Sequence, residues 1–146
     1  MDKLILNENN ILLGIESESK DKVIERAGNL LIKNGYVKRE YIEGMKKRES
    51  DVSSYIGNGI AIPHGMPEYK KYITRSGIVV VQYPKGVDFG DGNTAYIVVG
   101  IAGKNDEHVS ILSSIAIVCQ YQENVNKLRC ASTKEEILNI LLEGER

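Results

Sequence analysis

Apolar positions along the chain follow helical spacing in some segments and strand-like runs in others. Between residues 20 and 34 they recur at i, i+1, i+4, i+7 and i+8, which predicts an amphipathic helix. Apolar runs bounded by turn residues predict strands over 60–62, 78–83 and 96–102. Helical spacing predicts further helices over 38–49, 106–120, 123–130 and 134–142. Interleaved helices and strands predict an α/β fold, a single domain over 1–146 with a mixed β-sheet and helices on both faces.

Turn and capping residues predict where several helices begin or end. Gly35 follows the first helix and favours its termination. Ser132 or Thr133 is expected to cap the last helix. Asn105 precedes two acidic residues that favour a first helical turn, so it is predicted to be the N-cap of the helix over 106–120.

Charge and apolar composition exclude several classes of protein. Nineteen basic and twenty acidic residues give a formal net charge of −1, whereas a nucleic-acid-binding domain normally carries a basic excess. The apolar runs are too short to cross a bilayer. Residues 1–7 contain no apolar signal segment, so we expect the protein to stay in the cytoplasm. In that reducing compartment Cys119, on an apolar helical stripe, is expected to be a buried and inert thiol.

Three sequence motifs that would indicate a cofactor or a hydrolase are incomplete or absent. The segment from Gly100 to Lys104 lacks the glycine spacing and the Ser or Thr of a phosphate-binding loop. A G-x-S-x-G motif is absent, which removes the support for a serine hydrolase. The run ending at His108 does not extend to H-E-x-x-H, and two histidines do not fill a zinc site. We therefore expect no nucleotide, metal or other cofactor.

Residues 56–65 carry the most distinctive motif, Ile-Gly-Asn-Gly-Ile-Ala-Ile-Pro-His-Gly. A glycine-flanked turn leads into a short strand that ends at Pro63, which cannot donate a ladder hydrogen bond. Gly65 adds no side-chain bulk beside the imidazole of His64 and permits close approach of another group. A lone histidine is often only a surface polar residue, but these flanks favour an imidazole fixed at a strand end and open on one side.

The second histidine, His108, follows another predicted strand and lies in the first turn of a helix. Ligands of open α/β sheets bind at the carboxyl ends of strands, and the N–H groups of a helix N-terminus favour anions. A packed, partly buried histidine is the alternative interpretation of the same pattern.

These segments, with the run over 82–90, resemble the mannitol/fructose-type enzyme IIA proteins of the bacterial sugar phosphotransferase system. The resemblance extends over nearly the whole chain and is closest to the mannitol type. It implies a phosphotransferase that carries a phosphoryl group on His64, with His108 and Arg48 as further active-site residues. It also implies two partners: phosphorylated HPr as donor and a cysteine of the transporter's enzyme IIB domain as acceptor.

The resemblance leaves some questions open. Asn58 occupies a position where some mannitol-type relatives carry an acidic residue. Ile60, Ile62 and Met66 are hypothesised to form an exposed apolar ring for docking partners. A regulatory enzyme IIA-like protein, whose phosphorylation signals and does not feed transport, would use the same His64. A metal-dependent enzyme with His64 and His108 as ligands is a third hypothesis.

Overall fold

A five-stranded mixed sheet forms the centre of the protein in a computed structural model that describes residues 5–143. The strands are β1 (Ile11–Leu12), β2 (Tyr55–Gly57), β3 (Ile60–Ala61), β4 (Gly77–Asp88) and β5 (Thr94–Ala102). Their order is β1-β4-β5-β3-β2. β4 and β5 are antiparallel, whereas β3 runs parallel to β5 and β1 runs parallel to β4.

Helices cover both faces of the sheet, as predicted. The helices are α1 (Lys20–Lys33), α2 (Tyr41–Asp51), α3 (Glu107–Cys119), α4 (Gln122–Cys130) and α5 (Lys134–Glu143). Along β4, Val79 faces α1 and α2, whereas its neighbour Val80 faces α3, α4 and α5. Because both faces are covered, residues 77–81 of β4 and 97–102 of β5 are buried and apolar without interruption, which explains why no alternating pattern marks them.

The helix ends agree with the predictions in two cases and differ in one. Gly35 follows α1 with a φ of +80°, and Thr133 accepts a hydrogen bond from the backbone N–H of Glu136 at the start of α5. The prediction that Asn105 is an N-cap is wrong. Asn105 lies in a short 3-10 turn, α3 begins at Glu107, and the N-cap position belongs to Asp106, whose side chain makes no capping bond.

Several elements are longer than predicted or were not predicted. β4 continues past Tyr83 to Asp88, because its pairing with β5 resumes at Val87 beyond a register shift. β1 and β2 are two and three residues long, too short for a periodic pattern. A 3-10 turn over Pro67–Tyr72 follows the His64 segment.

Among residues 5–143, none of the helices combines the length and the apolar character needed to cross a bilayer. The predicted absence of a signal segment also concerns residues 1–4, which lie outside the described residues.

Candidate active site

His64 and His108 meet at one edge of the sheet because β3 and β5 are parallel. Their carboxyl ends therefore point to the same side. His64 follows β3 and makes an isolated bridge with Ile101 near the end of β5. His108 lies in the first turn of α3, six residues beyond the last residue of β5.

A cavity of about 220 Å³ brings the three predicted site residues together. Its walls are formed by Tyr41, Arg48, His64, Gly65, Pro67, Lys70, Ile73, Gly103 and His108. A larger groove of about 380 Å³ lies along α1, but its lining contains neither histidine. Size alone therefore does not locate the candidate site, whereas the grouping of both histidines with an arginine does.

The imidazole of His64 has one nitrogen engaged and one free. Its Nδ1 lies 2.8 Å from the carbonyl oxygen of Ile62, which can only accept, so Nδ1 carries the hydrogen. Nε2 makes no hydrogen bond within residues 5–143 and keeps its lone pair. Burial lowers the pKa of His64; the Ile62 carbonyl opposes that shift and the charge of Arg48 adds to it. The resulting neutral imidazole is a nucleophile at Nε2.

Arg48 lies in the last turn of α2, where its Nη1 donates a 2.7 Å hydrogen bond to the carbonyl of Val52. That bond anchors one end of the guanidinium and leaves the other donors of its planar fork available. The neighbouring Glu49 is buried, accepts hydrogen bonds from Ser54, and pairs with Lys20 at 3.1 Å. Burial alone would raise the pKa of Glu49, but the Ser54 hydrogen bonds and Lys20 bring it below its ordinary value.

His108 is held close to the end of β5 by a glycine. A Cβ on Gly103 would lie 2.3 Å from the backbone nitrogen of His108, so only glycine allows α3 to begin there. The Nδ1 of His108 is buried without a hydrogen-bond partner among the described residues. The other ring nitrogen, Nε2, is therefore the one available to form a hydrogen bond with an oxygen in the cavity.

Sequence reasoning gave no site role to five residues that line this cavity, and three of them make contacts that shape it: Lys70, Tyr41 and Gly103. Lys70, which no motif of the sequence marks, pairs with Asp106 at 2.7 Å and lines one side of the cavity. Tyr41, an apolar position of the helix predicted over 38–49, lines the cavity with 2% of its surface exposed. Gly103 belongs to the segment rejected as a phosphate loop. In each case the contact that matters joins residues at least five positions apart.

The family model for the phosphoenolpyruvate-dependent sugar phosphotransferase system, EIIA 2, matches residues 4–144. The chain belongs to this family. It is 51% identical over 143 residues to the mannitol-specific phosphotransferase enzyme IIA component of Geobacillus stearothermophilus, covering 98% of this chain and 99% of that relative.

Two solved structures share the fold. One is the complex of enzyme IIAMTL and phosphorylated enzyme IIBMTL from Escherichia coli, with a TM-score of 0.90, 35% identity, and coverage of 94% of this chain and 96% of that one. The nitrogen regulatory protein IIA-Ntr from Neisseria meningitidis has a TM-score of 0.79 and 27% identity, covering 94% and 97%. The fold is therefore shared by an enzyme IIA seen in complex with enzyme IIB and by a protein named as a nitrogen regulator.

Asn58, the departure noted in the sequence, does not line the His64 cavity. It has a φ of +52° in the β2–β3 turn, and its amide donates a 3.2 Å hydrogen bond to the carbonyl of Cys119. An acidic side chain could not donate that bond. Cys119 itself is buried, and burial raises the pKa of its thiol to about 12, which agrees with an inert thiol.

The hypothesis of an exposed ring formed by Ile60, Ile62 and Met66 is wrong for two of its members. Ile60 is fully buried and Ile62 is 8% exposed, because both pack under α3 in the core. The large apolar side chains exposed among the described residues are instead Val109 and Ile117 of α3, together with Val52, Ile56 and Tyr121.

Among the described residues, no three His, Cys, Asp or Glu side chains group as metal ligands. The hypothesis of a metal-dependent enzyme therefore has no ligand set in that part of the chain.

Proposed function

We propose that this protein is the phosphocarrier of a mannitol phosphotransferase system. It accepts a phosphoryl group from phosphorylated HPr on His64 and passes it to a cysteine of enzyme IIB. The observation that carries the proposal is the free Nε2 of a neutral His64 in a cavity shared with Arg48 and His108. The cytoplasm is the compartment proposed for both transfers.

The chemistry follows from the groups in the cavity. The lone pair of His64 Nε2 forms a bond to phosphorus as the bond to the donor imidazole of HPr breaks. The hydrogen stays on Nδ1 and is donated to the Ile62 carbonyl, and this hydrogen bond stabilises the positive charge that the ring gains. In the second transfer the cysteine thiolate forms the new bond to phosphorus, and Nε2 recovers its lone pair.

Positive groups surround the position that the phosphoryl oxygens would occupy. The transition state spreads negative charge over three equatorial oxygens, and a planar guanidinium can donate to two of them. Arg48 is assigned that role, and His108 Nε2, when it carries a hydrogen, would donate to another oxygen. Lys70 is already paired with Asp106, so its charge contributes less.

Incubation with phosphoenolpyruvate, enzyme I and HPr tests the first transfer, with acid-labile phosphate on this chain as the readout. We expect His64→Ala to abolish labelling, whereas His108→Ala should still be labelled with altered transfer. Labelling that persists in His64→Ala would overturn the assignment of the acceptor.

Transfer from the labelled protein to a mannitol IIB domain separates the transport function from the regulatory one. The 51% identity to a mannitol-specific component, against 27% to the nitrogen regulatory protein, favours transport. Retention of the phosphoryl group in the presence of that IIB domain would favour the regulatory function.

A further inference from the structure

The hydroxyl of Tyr41 occupies a place in the ladder between β3 and β5 that a direct backbone hydrogen bond would normally fill. Ile101 N–H donates to the Pro63 carbonyl at 2.9 Å. In a regular parallel ladder, Gly65 N–H would next donate to the Ile101 carbonyl. Here Gly65 N–H donates to Tyr41 Oη at 2.8 Å, and that hydroxyl donates to the Ile101 carbonyl at 2.8 Å.

The Tyr41 hydroxyl therefore ties the backbone just after His64 to the backbone near the end of β5, at the wall of the cavity. The Tyr41 ring lies directly against Gly65, since a Cβ on Gly65 would lie 2.6 Å from Tyr41 Cε1. Burial raises the pKa of Tyr41 to about 12, so the hydroxyl keeps the hydrogen that it donates.

The same hydroxyl joins the two elements that carry His64 and Arg48. Tyr41 is the first residue of α2, and Arg48 follows seven residues later, two helical turns along the same face. A second contact, from Met66 N–H to the Gly44 carbonyl at 3.2 Å, links the same helix to the same segment. The position of Arg48 relative to His64 therefore depends on how α2 is attached to this strand end.

We propose that Tyr41 is a positioning residue for phosphoryl transfer. Its hydroxyl fixes the position of the helix that carries Arg48 relative to the strand end that carries His64. This inference rests on the proposed function, because that relative position matters only if Arg48 and His64 act on the same phosphoryl group.

Tyr41→Phe removes the hydroxyl alone, and Tyr36→Phe is its matched control. Tyr36 is equally buried, and its hydroxyl accepts a 2.7 Å hydrogen bond from Asn10, away from the cavity. With phosphorylated HPr as donor, we expect Tyr41→Phe to lower the kcat of transfer about tenfold with KM unchanged. Tyr36→Phe should transfer at the rate of the unchanged chain.

A double-mutant cycle with Arg48→Ala tests directly whether the Tyr41 hydroxyl acts through Arg48. If Tyr41 acts through Arg48, removing its hydroxyl from Arg48→Ala should slow transfer less than about twofold, because the guanidinium it positions is already gone. A merely structural role would lower the rate by the same factor in both backgrounds, and that result would overturn the proposal.

Thermal melts show whether each variant is folded in the assay. If Tyr41→Phe does not fold, Gly65→Ala replaces it, because the added Cβ disturbs the same contact between Gly65 and Tyr41. The loss of transfer rate caused by Gly65→Ala must then also be smaller in the Arg48→Ala background. An equal loss in both backgrounds would overturn the proposal. If neither the unchanged chain nor Tyr36→Phe is labelled, the proposed function fails. If both are labelled and Tyr41→Phe matches them, only the role of Tyr41 fails.

Discussion

At the scale of single residues, the protonation of His64 decides when the cavity contains a nucleophile. Burial lowers the pKa of His64, so the neutral ring persists to a lower pH than it would in an exposed histidine, which titrates near about 6.5. Titration of the His64 ring protons by NMR should show protonation only below that pH. His108→Ala assigns the signal, and a midpoint at or above about 6.5 would contradict the lowered pKa of His64.

The guanidinium geometry of Arg48 gives a second prediction at this scale. Arg48→Ala should slow transfer about 10²-fold, the size typical of losing one preorganised charged donor in a transition state. Arg48→Lys keeps the charge but loses the planar fork, so its rate should lie between those of Arg48→Ala and the unchanged chain. Single-turnover transfer from phosphorylated HPr measures both variants. Equal transfer rates for Arg48→Lys and the unchanged chain would show that the positive charge alone is sufficient for the role of Arg48.

At the scale of elements, the start of α3 depends on the absence of a side chain at Gly103. Gly103→Ala should lower the free energy of unfolding by about 1–3 kcal/mol, because its Cβ meets the backbone of His108, which has little freedom to move. It should also slow transfer, since α3 carries His108. Urea unfolding and the labelling assay measure the two effects.

Gly92→Ala is the control for general destabilisation. Gly92 lies in the β4–β5 loop with a φ of +79° and no atom within 4 Å of its missing Cβ, so alanine there adds backbone strain alone. It should lower stability without slowing transfer. If Gly103→Ala is labelled as fast as Gly92→Ala, the position of the start of α3 does not affect phosphoryl transfer.

The elements also show what the sequence could and could not predict. Long helices and buried strands were predictable because their apolar spacing is a local property. The resemblance singled out His64, His108 and Arg48, which line one cavity. The two-residue β1 and the order of the strands depend on pairing between distant segments. The role of Tyr41 rests on a contact with Ile101, sixty residues away, which no local pattern contains.

At the scale of the whole molecule, the exposed face of α3 is the surface through which we expect partners to reach His64. Val109 is 58% exposed and follows His108 directly, whereas Ile117 lies eight residues, or about 12 Å, farther along α3. Apolar side chains left exposed beside a site are typical of a surface that binds other proteins.

Val109→Ser should raise the KM for phosphorylated HPr several-fold while leaving kcat and the melting temperature nearly unchanged. The side chain is exposed, so its loss affects docking and not the core. Ile117→Ser should have the smaller effect. Transfer kinetics over a range of donor concentrations give kcat and KM for each variant. Identical curves for the two variants and the unchanged chain would show that this face of α3 does not bind phosphorylated HPr.

Both histidines of the chain line the same cavity. Isotopic labelling of histidine would therefore give a spectrum of the candidate site alone, with one resonance set for the ring proposed to accept phosphate and one for its neighbour. Donor docking, phosphorylation and release to the acceptor could each be followed in real time in the unmodified protein, without an attached probe.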